Sequence, residues 1–134
     1  MLDHPPIANG VACVDFDGTI VPWGPLDDSV SPSGAVIRQM RKLAETHKVF
    51  IFTSRLSPTW LRAEFPHLDP INARAHQYEY VASLLRAHGI PFYDITAEKI
   101  PAEVYFDDKA VRVHEDTYPL NAAISDWLVQ RGRC

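Results

Sequence analysis

Short apolar runs alternate with longer amphipathic stretches along this chain, and proline and glycine separate them. Val11-Ala12-Cys13-Val14 is an unbroken apolar run closed by Asp15, the pattern of a strand buried on both faces. From Phe16 to Val30, Gly18, Pro22, Gly24 and Pro25 exclude a helix and leave a loop or hairpin. Ser31-Pro32 reads as a helix start, with serine as the N-cap and proline at the first helical position. Val36, Ile37, Met40, Leu43 and Ala44 then recur at helical spacing, to about Thr46.

Lys48 to Phe52 is a second strand-length apolar run, followed by Thr53-Ser54-Arg55. Pro58 to Phe65 is a short helix stopped near Pro66. Asn72 caps a longer one, with Ala75, Tyr78, Ala82 and Leu85 on one face and Gly89 closing it. Pro91 to Ile95 and Ala102 to Phe106 are two more strand candidates, the second ending at Asp107-Asp108. Asn121 to Gln130, carrying Ile124, Trp127 and Leu128, completes the series as a terminal helix. The order strand, helix, strand, helix, strand, strand, helix predicts an α/β fold. Its parallel sheet would carry helices on both faces, joined by right-handed crossovers.

Length and composition narrow this further. The chain has 134 residues, 46% apolar and 22% charged, which fits one globular domain over residues 1–134 whose core needs no covalent staples. A net charge of −4 disfavours a generally basic nucleic-acid face, although a local basic groove stays open. No apolar run is long enough for a bilayer, so no membrane partner is expected. Met1 to Pro6 lacks the basic and apolar regions of a secretory signal. Cys13 lies in an apolar run and Cys134 is the last residue, so the expectation is no structural disulfide and a reducing, cytoplasmic compartment. His4, His47, His67, His76, His88 and His114 show no zinc-like spacing.

Polar residues follow three of the strands: Asp15-Phe16-Asp17-Gly18-Thr19, Thr53-Ser54-Arg55 and Asp107-Asp108. In an open parallel sheet such groups meet in the crevice beyond the carboxyl ends of the strands. Four carboxylates gathered there repel one another by several kcal/mol per pair, at an effective dielectric of about 20, unless a cation joins them. A hard, oxygen-liganded ion, Mg²⁺ with some waters retained, suits that set and suits phosphoryl chemistry. Lys99 can supply positive charge for a phosphate. Thr53 and the backbone N–H groups around Ser54 and Gly18 can supply donors.

Asp15-Phe16-Asp17-Gly18-Thr19 after an apolar strand resembles the DxDGT signature of the haloacid dehalogenase-like (HAD) phosphohydrolases. Thr53 looks like their second motif, Lys99 like the third and Asp107-Asp108 like the fourth, in the same order, from about Val11 to His114. The resemblance implies a Rossmann-like doubly wound sheet and a Mg²⁺-dependent phosphatase acting through an aspartyl-phosphate. By the same resemblance Asp15 is the nucleophile, and Asp17 is the general acid and then the base. The ion is held by the Asp15 carboxylate, the Asp17 carbonyl and Asp107, with Asp108 direct or through water. Thr53 and Lys99 hold the transferring group.

Several assignments stay open. Lys109 competes with Lys99, and Ser54 with Thr53. Arg55 is either a substrate contact or a surface residue. Trp23 and Trp60 either stack on a substrate or close a core edge. Too few residues remain between the motifs for an inserted cap domain, which leaves the crevice open. The substrate is then a phosphate on a small molecule bound against the Pro22–Pro25 and Leu56–Pro70 loops, or on a macromolecular end. A nucleic-acid end is possible but not favoured by the charge. A second subunit could also close the site.

The alternative reading is a HAD-like binding or scaffold module with weak or no catalysis, or a polynucleotide-end phosphatase. The other phosphate- and nucleotide-binding frames do not fit. No G-x-G-x-x-G follows the first strand and no G-x-x-x-x-G-K-[ST] occurs, and a response-regulator receiver would carry its acidic pair first in the chain.

Overall fold

The computed structural model describes residues 9–23, 30–113 and 119–132. The N-terminal reading, residues 24–29 of the loop after the first strand, His114 and Cys134 lie outside the described residues. Among the described residues, four parallel strands form one sheet: β1 (Val11–Asp15), β2 (Lys48–Phe52), β3 (Asp94–Thr96) and β4 (Val104–Phe106). Their order is β3-β2-β1-β4. Helices α1 (Gly34–Ala44), α2 (Pro58–Glu64), α3 (Pro70–Ala87) and α4 (Leu120–Gln130), with a 3₁₀ turn at Ser54–Leu56, complete an α/β fold.

Two helix starts differ from the expectation. Ser33, not Ser31, caps α1, its hydroxyl accepting from the Val36 N–H at 3.2 Å, so Pro32 stays outside the helix. Asp69, not Asn72, caps α3, accepting from the Ile71 N–H at 3.2 Å with Pro70 at the first helical position. Asp-Pro is the stronger start signal, because the carboxylate takes a free N–H and the proline has none to leave unpaired. The third strand begins at Asp94 rather than Pro91. The Tyr93 N–H opens the pairing by donating to the Val49 carbonyl at 2.7 Å, a bond no proline could make. The fourth begins at Val104 rather than Ala102.

Because side chains alternate along a strand, Ala12, Val14, Val49, Ile51 and Ile95 share one face, and the register aligns them: Ala12 with Val49, Val14 with Ile51, Ile51 with Ile95. Met40 of α1 and Val81, Ala82 and Leu85 of α3 pack with Val14, Val49, Ile51 and Ile95 into the hydrophobic core. Each such aliphatic side chain contributes roughly 1.5–3 kcal/mol on burial. Gly89 ends α3 at φ +65°, and the Arg41 Nε of α1 donates to its carbonyl at 3.0 Å, pinning the two helices together.

Cys13 points to the opposite face, where it is buried. Burial, reinforced by the charges of Asp15 and Asp107, pushes its thiol up to about 11, so it packs rather than reacts. No described helix is long and apolar enough to cross a membrane.

The chain steps outward from β1 to β2 to β3 and then returns to the far side of β1 as β4. That reversal makes β1 and β4 the topological switch point, and an open α/β sheet binds ligands beyond the carboxyl ends of the strands at such a point.

Candidate functional site

Asp15 ends β1, and Asp107 follows β4 directly. Val14 pairs with Phe106, so the next residue on each strand is again a neighbour across the ladder. Carboxylate oxygens of Asp15, Asp107 and Asp108 all lie within 4.8 Å of one another. With only protein around it, this group is electrostatically uncomfortable, since two such charges at 4 Å repel by about 4 kcal/mol at an effective dielectric near 20. The strain falls on Asp15. Burial first, then the charge of Asp107, push its carboxyl up to about 7, and its contact with Asp108 adds to the shift. The three could hold a metal ion, and an all-carboxylate donor set selects a hard cation.

The turn after β1 is tightly wound. The Phe16 carbonyl accepts from the N–H groups of Thr19, Ile20 and Val21, and the Gly18 N–H donates to the Val21 carbonyl at 2.7 Å. The amide of Gly18, expected as a phosphate donor, is therefore already engaged. Its contribution is steric: at φ +80° a Cβ would lie 2.4 Å from both Asp108 Oδ2 and Trp23 Nε1. Through that gap the Trp23 indole donates to Asp108 at 3.0 Å, which holds the Asp108 carboxyl below its usual range.

Asp17 and Arg55 form a buried ion pair that the sequence did not reveal. Arg55 Nε donates to Oδ2 at 2.9 Å and Nη2 to Oδ1 at 2.6 Å, a bidentate fork. Arg55 is 6% exposed and Asp17 7%. Arg55 is thus no surface residue. The Asp17 side chain is not one of the three whose carboxylate oxygens all lie within 4.8 Å of one another; its expected part in holding an ion is through the backbone carbonyl.

Thr53 follows β2 beside Asp15 and is buried, its hydroxyl accepting from the Arg55 N–H at 3.2 Å. Ser54 is exposed on the 3₁₀ turn. Lys99 and Lys109 are both exposed, Lys99 over the Tyr105 ring at 5.8 Å and Lys109 over the Trp23 ring at 4.4 Å. Trp60 packs edge-on against Phe65 at 5.8 Å and walls the Arg55 guanidinium, so it closes the core edge. Trp23 is 60% exposed at the rim.

Comparison of the chain with protein-family models, curated proteins and solved structures gives no significant match.

A cleft of about 380 Å³ lies between the 3₁₀ turn, the start of α3 and the end of β3, and none of the three carboxylates lines it. Leu56, Leu61, Pro70 and Ile71 line its apolar part, with Arg74 and Glu98 as its charged groups. It coincides with the Leu56–Pro70 stretch expected to receive substrate. A larger apolar groove of about 530 Å³, between α1 and Phe106, contains none of the carboxylates.

Proposed function

We propose that this chain is a cap-less HAD-like phosphohydrolase, a Rossmann-like doubly wound domain that hydrolyses a phosphomonoester through an aspartyl-phosphate on Asp15. The observation that carries the reading is the convergence of Asp15 with Asp107 and Asp108, from opposite ends of the chain, within 4.8 Å. Thr53, directly after the strand adjacent to β1, supports the same reading.

The Asp15, Asp107 and Asp108 carboxylates, with the Asp17 carbonyl, would hold Mg²⁺. Bound there, the ion would neutralise charge on the phosphoryl group and keep Asp15 ionised. In the first step an Asp15 carboxylate oxygen bonds to phosphorus as the bond to the leaving oxygen breaks, and that oxygen takes a proton from Asp17. In the second, water attacks phosphorus and returns a proton to Asp17. The bond between phosphorus and Asp15 breaks, releasing inorganic phosphate and restoring both carboxyl groups. Thr53 donates to the transferring group, and Lys99 or Lys109 balances its charge.

The competing reading, a HAD-like module that binds without turnover, draws on one observation: both Asp17 oxygens already accept from Arg55. One assay separates the two readings. Phosphate release from a generic aryl phosphate should require Mg²⁺ and should vanish in Asp15→Asn. Equal release by Asp15→Asn and the unaltered chain would reject Asp15 as the nucleophile, and no release by either would favour the binding module. Extending the screen to sugar phosphates, nucleotides, phosphorylated oligonucleotide ends and phosphopeptides would identify the substrate class.

A further inference from the structure

The Arg55 guanidinium is held more completely than an exposed salt bridge requires. Its fork is spent on Asp17, its backbone N–H on the Thr53 hydroxyl, and its Cζ lies 5.7–5.9 Å from the ring centroids of Phe16, Trp60 and Tyr80. Burying such a pair is a poor way to gain stability, because the desolvation cost of two charges offsets most of their attraction. A bidentate fork does one thing an apolar replacement cannot. It fixes both torsions of the aspartate side chain, and the aromatic walls in turn fix the fork.

We infer that Arg55 is a positioning residue for Asp17: it locks the carboxylate against the aromatic wall and keeps it out of the Asp15, Asp107 and Asp108 group. This rests on the phosphohydrolase reading, in which Asp17 moves protons and the other three face the ion. Without the fork, the Asp17 carboxylate can swing toward the same cation and leave the leaving-group side. Arg55 itself touches neither substrate nor ion.

The test uses kcat and KM for Mg²⁺-dependent hydrolysis of one phosphomonoester by the whole chain. Lysine keeps the charge of Arg55 but not the fork, so Arg55→Lys should lower kcat on the order of 10- to 100-fold, the usual cost of about 1 Å of misplacement, with KM changed less than about threefold. Unchanged kcat would overturn the inference, as would a raised KM with kcat retained, which would make Arg55 a phosphate ligand. A second arm covers loss of folding in that variant. Asp17→Asn combined with Arg55→Met leaves no unpaired buried charge. If Arg55 acts only through Asp17, its kcat should fall within about twofold of Asp17→Asn alone, the non-additive outcome. A further tenfold loss would show a separate role for Arg55 and overturn the inference. Absence of turnover in the unaltered chain, or full turnover in Asp15→Asn, would instead remove the phosphohydrolase reading itself and this role with it.

Discussion

The Trp23 indole and the Asp108 carboxylate, 85 residues apart, are joined by a 3.0 Å hydrogen bond that passes directly over Gly18. The bond ties the turn after β1 to the acidic pair after β4, so the position of Asp108 depends on there being no side chain beneath it.

Gly18→Ala should therefore weaken the site and the fold together. A positive φ costs a β-carbon residue about 1–2 kcal/mol, and the new methyl group would displace Asp108 and Trp23. Urea unfolding should show that loss, and the Mg²⁺-induced rise in Tm should shrink. Trp23→Phe, which removes only the hydrogen bond, should keep the stability and lose part of the Mg²⁺ response.

The raised carboxyl of Asp15 sets a pH dependence with a definite sign. Its folded value of about 7 lies above the unfolded value of 3.8, so the native state binds the extra proton between them. The stability this contributes is fully present below the unfolded value and lost as pH rises through about 7. Mg²⁺ favours the ionised form and should raise Tm more at pH 8 than at about pH 5.5, as a scan with and without about 10 mM Mg²⁺ would show. A Mg²⁺ shift equal at both pH values would mean that the ion does not bind at Asp15.

Asp15→Asn should abolish turnover yet raise the Tm of the metal-free chain at pH 8. The substitution removes a partly buried charge crowded by Asp107 and Asp108. Opposite signs for activity and stability mark a group strained for function. A lower Tm at pH 8 would contradict the crowding.

Arg55→Ala should destabilise the chain by about 3–5 kcal/mol, because it strands the Asp17 carboxylate in a buried setting. Asp17→Asn with Arg55→Met should recover most of that loss in urea unfolding. A small loss in Arg55→Ala would mean that water reaches Asp17 freely.

Gly89→Ala tests the helix junction away from the site. Its φ of +65° and a Cβ 2.4 Å from Arg41 Nη2 predict a loss of about 1–2 kcal/mol, with specific activity of the folded protein unchanged.

The strands and the three groups of polar residues at their ends were legible in the sequence because both depend on local pattern. Val11 to Val14 and Lys48 to Phe52 can bury themselves only in a sheet, and Asp15 and Asp107 follow such runs directly. The helix starts were legible only in part. Ser31 and Ser33 both offer a capping hydroxyl, and local pattern alone does not choose between them. The partnership of Arg55 with Asp17 could not be read at all. It spans 38 residues, and nothing near Arg55 distinguishes a buried fork from a surface cation until the turns after β1 and β2 are side by side. The engaged amide of Gly18 was hidden for the same reason, since its acceptor lies in the winding of the turn.

The acidic pair hangs from a three-residue strand at the margin of the sheet, whose sole ladder partner among the described strands is β1. Such a margin opens at lower free energy than the centre, so the ligand cage could come apart while the α1 and α3 packing stays intact. An ion bridging Asp15 to Asp107 would act as a rivet there. It would slow amide exchange along Val104–Phe106 far more than along Lys48–Phe52, making occupancy visible as a change in local breathing in the absence of any substrate.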